Sequence, residues 1–199
     1  MSTVVQLRDL SLTLGGKTLF DGLSLQIDQG DRIGLVGPNG SGKSSLFRIL
    51  AGESEPDGGA VDMRDTIRIG YLPQEVGGIE DAPVLDLVVN SVQDRARLSQ
   101  ELERLTEALS SLQNDGADPE AMTEAAARVA DAHHRLADIE SRFSEYEAKK
   151  ILQGLGFKDS DLSRPMSEFS GGWKMRAVLA SLLFQRPDLL LLDEPTNHL

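Results

Sequence analysis

The chain of 199 residues contains no cysteine, few aromatic residues and no long apolar run. Without cysteine, disulfide frameworks and thiolate metal sites are excluded, which agrees with a reducing compartment. The longest purely aliphatic run, Leu189 to Leu192, is far shorter than the ~20 residues that cross a bilayer. The first ten residues lack the basic segment and apolar stretch of a secretory signal. We therefore expect a cytosolic (cytoplasmic) protein without membrane insertion.

Positive charge is also scarce, since 20 Lys and Arg oppose 32 Asp and Glu, for a net charge of −12. Phosphate backbones are bound by neutralising Lys and Arg, so the charge of the whole chain does not favour a nucleic-acid-binding protein. Such acidity is typical of a soluble protein. The apolar content of 40% is enough for one sizeable core, and we expect one domain with an insertion.

Short β-like runs separated by turns fill the first part of the chain. The runs Leu10 to Leu14 and Leu23 to Ile27 are bounded by glycine-containing turns and predict an antiparallel flap. Two further strand candidates, Ala60 to Met63 and Ile67 to Tyr71, lead into the sequence Tyr-Leu-Pro-Gln-Glu, which contains Gln74.

A glycine-rich segment, Gly37 to Ser44, follows the apolar run Ile33 to Val36 and precedes a helical pattern from Ser44 to Leu50. Strand, loop and helix together match the phosphate-loop pattern G-x-x-x-x-G-K-[ST]. In such a loop, backbone N–H groups and the helix dipole surround the β-phosphate, the lysine contacts the β- and γ-phosphates and the hydroxyl ligates Mg²⁺. The predicted nucleotide-binding residues are Gly37, Pro38, Asn39, Gly40, Ser41, Gly42, Lys43, Ser44 and Ser45.

Two acidic residues, Asp193 and Glu194, directly follow the leucine run Leu189 to Leu192. The run predicts a strand buried on both faces of a parallel sheet, so Asp193 would emerge at the carboxyl edge beside the phosphates. There Asp193 would hold Mg²⁺ through water, and Glu194 would polarise the attacking water. Together with the phosphate loop, the acidic pair predicts ATP hydrolysis.

A second candidate anion site lies in the sequence Phe-Ser-Gly-Gly-Trp-Lys-Met-Arg, where Ser170, Gly171 and Gly172 precede an amphipathic helix. A single nucleotide cannot easily occupy both this site and the phosphate loop, so a second site needs a separate explanation.

Two heptad-like seams predict a pair of helices in the middle of the chain. The first seam comprises Leu98, Leu102, Leu105, Leu109 and Leu112. The second comprises Met122, Ala125, Val129, Ala132, Leu136, Ile139, Phe143 and Tyr146. We predict a first helix ending near Gln113, a turn, and a second helix with Asp118 as N-cap and Pro119 at its first position.

Two helices of about 30 residues would form an antiparallel coiled-coil hairpin roughly 45 Å long. It either projects as an arm that contacts a partner or packs, near its base, within a compact helical subdomain. Residues 91–150 carry 8 Lys or Arg and 13 Asp or Glu, so charge alone does not identify RNA as that partner. His133 and His134 on the second helix are predicted to face solvent.

Together, these motifs resemble the ATP-binding cassette superfamily over essentially all 199 residues. The resemblance implies an α/β P-loop NTPase core with an antiparallel β flap and a helical subdomain, and ATP and Mg²⁺ as ligands. It implies that Gln74 senses Mg²⁺ and water, with Lys43 and Glu194 as the other catalytic residues and Ser44, Gln74 and Asp193 around the metal. Ser170, Gly171 and Gly172 would contact the γ-phosphate of an ATP held by a partner cassette.

Within that superfamily, the Phe-Ser-Gly-Gly-Trp signature, the ending Asp-Glu-Pro-Thr-Asn-His-Leu and the heptad hairpin are similar to the ABC-F group. That resemblance implies a soluble protein with two cassettes in one chain, of which this would be most of the first, and many members act on the ribosome. The expected domains are a core part at 1–83, a helical arm at 84–153, and the signature helix and acidic strand at 154–199, ending before the switch histidine. His198 is not that histidine, and Leu14 stands where the family often has an adenine-stacking aromatic.

The leading hypothesis is an ABC-F ATPase whose ATP-driven closure repositions the arm on the ribosome, as a translation factor. One alternative is the nucleotide-binding subunit of a membrane transporter, and another is a DNA-linked coiled-coil ATPase. A further alternative is a nucleotide-gated binding module without turnover of its own.

Overall fold

The computed structural model describes residues 2–64, 66–75, 77–79, 81–114 and 118–195. Its elements, in chain order, are β1 (Thr3–Leu14), β2 (Lys17–Asp28), α1 (Lys43–Leu50), β3 (Gly58–Met63), β4 (Ile69–Leu72), α2 (Val84–Val89), α3 (Gln93–Asn114), α4 (Pro119–Arg142), α5 (Glu145–Gly154), α6 (Gly171–Phe184) and β5 (Leu189–Leu192). They fall into two compact units. The first unit comprises Met1–Gly78, Gly171–Met175 and Arg186–Leu199, and the second comprises Ile79–Ser170 and Arg176–Gln185. The domain boundaries expected from the sequence stay a prediction.

An antiparallel sheet of order β2-β1-β3 forms one part of the first unit. The hairpin between β1 and β2 closes where Leu14 pairs with Lys17. Its two turn residues, Gly15 and Gly16, have φ values of 56° and 80°. A two-residue hairpin turn with both φ values positive favours glycine and matches the right-handed twist of the strands. The predicted antiparallel flap is confirmed.

Helix α1 packs against the buried face of this sheet. Leu46, Ile49 and Leu50 lie on one side of the helix and join a core whose strand members are Val4, Val5, Leu7, Leu10, Leu12 and Leu191. Apolar residues at intervals of three and four positions lie on one face of a helix, so burial fixes how α1 is rotated. The N-terminus of α1, where the glycine-rich loop ends, is thereby held in place.

The strands β4 and β5 pair in parallel, from Ile69 opposite Leu189 to Leu72 opposite Leu192. The strand predicted from the leucine run is therefore present. Its predicted burial on both faces is wrong, because only Leu191 is fully buried and the other three leucines keep partial exposure. An apolar cavity of about 450 Å³ borders β5 and leaves these side chains incompletely covered.

The run Ile33 to Val36, predicted as the strand before the phosphate loop, is not a strand in the structure. Ile33, Leu35 and Val36 are 51%, 40% and 94% exposed. Ile33 and Leu35 border the same apolar cavity as β5. A strand is stabilised by the N–H and C=O groups of a neighbouring strand, and none of the described residues supplies such a neighbour here.

In the second unit, α3 and α4 form an antiparallel helical hairpin. Arg95, near the start of α3, forms a 3.1 Å ion pair with Glu140, near the end of α4. The five leucines of the first seam are buried or half-buried, as are seven of the eight residues of the second. Coiled-coil supercoiling stays a prediction. No helix among the described residues is long and apolar enough to cross a bilayer.

The hairpin is shorter than the sequence predicted, because α3 has 22 residues and α4 has 24. At ~1.5 Å per residue these helices are about 33–36 Å long, not 45 Å. Asp118 is the N-cap of α4 and Pro119 its first residue, as predicted, while residues 115–117 of the predicted turn lie outside the described residues. His133 and His134 are exposed, as predicted.

The second helix also ends earlier than its seam predicted, at Arg142, with Phe143 as its C-cap. Ser144 adopts an extended conformation, and its hydroxyl accepts a 3.3 Å hydrogen bond from the N–H of Glu147 in the first turn of α5. This N-cap interrupts the helix and takes the eighth predicted seam residue, Tyr146, out of register, so Tyr146 is 65% exposed. Phe143 packs edge-on against Phe184 at 5.7 Å between ring centroids.

Candidate nucleotide site

The glycine-rich loop begins with a β-turn. The N–H of Ser41 donates a 3.2 Å hydrogen bond to the carbonyl of Pro38, and Gly40 inside this turn has a φ of 74°. Gly42, with a φ of 99°, is the N-cap of α1. Positive φ values favour glycine, so the loop's glycines fit backbone conformations that other residues rarely adopt.

Lys43, the first residue of α1, folds its side chain back over the loop. Its Nζ donates hydrogen bonds of 2.8 Å to the carbonyl of Gly37 and 3.2 Å to that of Pro38. These carbonyls hold a cationic group at the helix N-terminus, where the dipole favours anions. Neither carbonyl carries a net charge, so a phosphate bound in the loop would supply the counter-ion of Lys43.

A cavity of about 540 Å³ lies against this loop within the first unit. It is lined by Leu14, Lys17, Leu19, Asn39, Gly40, Gly42, Lys43, Ser44, Ser45, Gln74 and Glu194. Residues from four distant stretches of sequence therefore meet around one cavity. The described lining of this cavity does not include three other residues of the predicted loop, Gly37, Pro38 and Ser41.

Gln74 and Glu194 are brought together across 120 positions of sequence. The Nε2 of Gln74 donates a 3.1 Å hydrogen bond to Oε2 of Glu194. Glu194, two residues after the end of β5, has a φ of 48°, in the left-handed region. Such a conformation is costly for a residue other than glycine and often occurs at functional sites.

Asp193 is 4% exposed and continues the parallel pairing, since its N–H donates a 3.0 Å hydrogen bond to the carbonyl of Leu72. It borders the apolar cavity of about 450 Å³ together with Lys43 and Glu194. Burial raises the pKa of nearby Tyr71, and the Asp193 carboxylate raises that pKa further. The Tyr71 hydroxyl therefore remains protonated beside the acidic pair.

The donor set at this site suits Mg²⁺. Ser44, Gln74 and Asp193 offer a hydroxyl, a carboxamide and a carboxylate, which are the hard oxygen ligands that this ion prefers. Among the described residues, there is no group of three or more His, Asp or Glu side chains that could hold a metal ion. Mg²⁺ is commonly bound by one or two carboxylates and completes its shell with water and substrate phosphates, so one carboxylate, Asp193, with two neutral side chains fits that pattern.

The predicted second anion site occupies the start of α6. Ser170 is the N-cap in an extended conformation, and Gly171 and Gly172 are the first two helical residues. The preceding Phe169 is packed edge-on against Phe157, with ring centroids 5.8 Å apart. The guanidinium of Arg164 lies 4.6 Å from the centre of the Phe169 ring.

The sequence motifs missed three residues of β2 that support the phosphate loop. The Nζ of Lys17 donates a 2.9 Å hydrogen bond to the carbonyl of Gly40. A Cβ on Gly42 would lie 2.9 Å from Phe20 Cζ and 3.2 Å from Leu19 Cβ. Their only signal in sequence is the apolar alternation of a strand, which does not indicate what the strand packs against.

Comparison with solved structures gives the same fold. The chain superposes with a TM-score of 0.60 on cbiO1 from Clostridium perfringens, part of the ABC transporter complex cbiONQ, at 20% identity over 98% of this chain and 67% of that one. It superposes with a TM-score of 0.61 on the ATP-binding cassette MJ0796 in a dimeric, post-hydrolysis state bound to ADP and Pi, at 20% identity over 98% of this chain and 76% of that one. The fold is that of a P-loop ATPase cassette.

Sequence comparison gives the family. Residues 20–197 match the ABC transporter family model, so the chain belongs to the ABC transporter family. Relatives include the ATP-binding protein YbiT of Escherichia coli O157:H7, 37% identical over 96% of this chain and 34% of its own length. ABC transporter F family member 4 of Arabidopsis thaliana is 38% identical over 98% of this chain and 26% of its own length. ATP-binding cassette sub-family F member 3 of Homo sapiens is 37% identical over the same shares. The chain thus spans about a quarter to a third of these relatives.

Proposed function

We propose that this chain is the ATP-binding and ATP-hydrolysing cassette of an ABC-F protein. The observation that carries the proposal is the meeting of Lys43, Ser44, Gln74 and Glu194 at one cavity. A phosphate-loop lysine and hydroxyl placed opposite a carboxylate provide both halves of phosphoryl transfer to water. The F-family names of the relatives support the assignment within the ABC family.

In this proposal each residue has one task. Lys43 exchanges the carbonyls of Gly37 and Pro38 for the β- and γ-phosphates. Glu194 accepts a hydrogen bond from the attacking water and orients it, while Gln74 holds the Glu194 carboxylate at that place. Mg²⁺, held by Ser44 and, through water, by Asp193, with Gln74 beside it, would supply charge neutralisation at the phosphates.

The start of α6 would act on a different nucleotide. Ser170, Gly171 and Gly172 are proposed to contact the γ-phosphate of an ATP held by a second cassette in the same full-length protein. A helix N-terminus with small residues allows close approach of an anion to backbone N–H groups. The closed pair of cassettes would then commit two ATP molecules to hydrolysis.

The helical hairpin is proposed to contact the ribosome, in the cytoplasm. Through this contact, cassette closure would act on the ribosome. The seam residues of α3 and α4 are buried or half-buried. Their other described side chains are exposed, apart from Arg95, Ala96, Ser99 and Glu101 near the start of α3, as suits a projecting arm. Closure on ATP would reposition the hairpin, and hydrolysis would reset it. This makes the protein a regulator of translation.

ATP binding and turnover test the enzymatic part. The full-length protein should bind ATP and release phosphate, Lys43→Ala should abolish binding, and Glu194→Gln should bind without turnover. Lys150→Ala, at an exposed lysine of α5, is the matched control and should behave like wild type. Tight ATP binding with no turnover in the wild type would leave a nucleotide-gated binding module instead.

Co-sedimentation with ribosomes tests the partner. Full-length Glu194→Gln should sediment with ribosomes only when ATP is present, because its closed state accumulates. Deletion of residues 91–150 should remove that association without abolishing ATP binding. Intact ATP binding with no ribosome association would contradict the translation role and favour a transporter subunit or a DNA-linked ATPase.

A further inference from the structure

Lys17 stands at the entry of β2, directly after the turn formed by Gly15 and Gly16. Its side chain is exposed, but its Nζ also donates a 2.9 Å hydrogen bond to the carbonyl of Gly40. The residue also lines the cavity of about 540 Å³. Lys17 therefore contacts the phosphate loop at Gly40, whereas Lys43, at the start of α1, contacts it at Gly37 and Pro38.

A residue from outside the loop holds one of the loop's carbonyls. Within its first turn, the Pro38 carbonyl accepts from Ser41 N–H and from Lys43 Nζ. The carbonyl of Gly40 accepts its hydrogen bond from Lys17 instead. Gly40 has a φ of 74°, and since glycine populates positive and negative φ values about equally, a contact at its carbonyl restricts a flexible peptide.

The same strand also supports the far end of the loop. Phe20 and Leu19 occupy the space that a side chain at Gly42 would need, with Phe20 Cζ 2.9 Å from the Cβ position. Two points of contact, Lys17 at Gly40 and Phe20 at Gly42, thus fix the glycine-rich loop against β2. One contact is a charge-assisted hydrogen bond from a residue that lines the cavity, and the other is apolar and involves the half-buried Phe20.

We propose that Lys17 is a positioning residue for phosphate binding, which acts by holding the Gly40 peptide and by adding positive charge at the cavity wall. The inference rests on the proposed ATP-binding function and deepens it. Because Lys17 acts on the loop, its effect is on the phosphate chain of the nucleotide, and the base and ribose are not its targets. Lys43 binds the phosphates, and Lys17 keeps the loop in the conformation that receives them.

Equilibrium titration of ATP, ADP and AMP against wild type, Lys17→Met and Lys17→Arg tests this inference in the full-length protein. Methionine keeps most of the apolar stem and removes the charge, and arginine restores a donor. Loss of one charge-assisted hydrogen bond predicts about a five-fold to ten-fold weaker Kd for ATP in Lys17→Met. We expect Lys17→Arg to recover most of that loss and AMP binding to stay within about two-fold of wild type.

Lys158→Met is the matched control, because it removes the same charge from an exposed position in the second unit. It should leave every Kd unchanged. Unchanged ATP binding in Lys17→Met would overturn the inference, and an equal loss for ATP and AMP would replace it with a contact to base or ribose. A wild-type protein that binds no ATP would instead overturn the proposed function, and with it the role of Lys17.

Discussion

Gln74 and Glu194 form a 3.1 Å hydrogen bond between the end of one strand and the end of its parallel neighbour. Strands β4 and β5 stop two residues before Gln74 and Glu194, so equal lengths of chain carry both side chains past the sheet edge. The carboxyl edge of a parallel sheet is where ligands bind in open α/β folds. The pair therefore links the carboxylate proposed to orient water to a side chain that follows the neighbouring strand.

Replacing Gln74 by alanine should slow ATP hydrolysis more than it weakens ATP binding. Without the donor at Nε2, the Glu194 carboxylate loses its fixed orientation toward the attacking water. Glu194→Gln removes the base itself, and turnover should fall at least about 100-fold. Single-turnover phosphate release beside equilibrium ATP binding measures both effects. Glu75→Ala, at the exposed neighbour of Gln74, is the control, and a turnover as low as that of Gln74→Ala would refute the specific role of the hydrogen bond.

Replacing Gly42 by alanine should destabilise the protein and weaken ATP binding together. The new Cβ would lie 2.9 Å from Phe20 Cζ, and the φ of 99° is strained for alanine. Gly16→Ala separates these causes, because Gly16 has a φ of 80° with nothing within 4 Å of its Cβ position. We expect about 1 kcal/mol of lost stability in Gly16→Ala from conformation alone and a larger loss in Gly42→Ala. Equal midpoints of chemical denaturation for the two variants would show that Phe20 moves away from the new Cβ without further loss of stability.

The ion pair at the start of β4 and β5 should make stability depend on pH. The backbone N–H and then the guanidinium of Arg68 donate to Asp188 and hold the pKa of this carboxyl below its usual range. A lowered folded pKa contributes stability that is present above the unfolded value, about 3.9, and is lost as the pH falls through the folded pKa.

Asp188→Asn should therefore be less stable than wild type at pH 7, by at most about 1 kcal/mol because the pair is partly exposed. The difference should shrink below about pH 4. Denaturation midpoints between pH 3 and pH 7 measure it, and Glu75→Gln serves as an exposed carboxylate control. A stability difference that stays constant over this range would contradict the assignment.

Ser144→Ala should destabilise the second unit at the junction of α4 and α5. The substitution removes the acceptor for the Glu147 N–H, which is an N-cap interaction worth about 1 kcal/mol. Ser141→Ala, in the last turn of α4, removes a hydroxyl that bonds only to the Asp138 carbonyl among the contacts described and should cost less. Thermal unfolding of both variants decides the point, and equal stability of the two would mean that Ser144 does not act as a cap.

Sequence reasoning was most accurate where chemistry is local. The seam of α3, the N-cap at Asp118 and the loop-to-helix transition at Lys43 follow from residues within one or two turns of each other. It was least accurate at boundaries between elements. A single capping serine, Ser144, ended a seam that hydrophobic spacing alone continued to Tyr146.

The phosphate loop and the acidic pair show the same division. Spacing identified Lys43, Ser44 and Glu194 as chemistry-bearing residues, because each lies in a motif with a defined chemical role. The contacts of Lys17 and Phe20 with the loop had no such signal, since alternation in a strand predicts a face but not its neighbour.

The sequence by itself determined the phosphate loop, the acidic pair after the leucine strand and the two helical seams, because glycine conformations, side-chain chemistry and apolar spacing act over a few residues. The tertiary structure alone decided that Gln74 reaches Glu194, that Lys17 holds Gly40 and that Ile33 to Val36 forms no strand. Each of these depends on a hydrogen-bonding partner from a distant part of the chain, and the position of that partner is set by the packing of the sheets and α1.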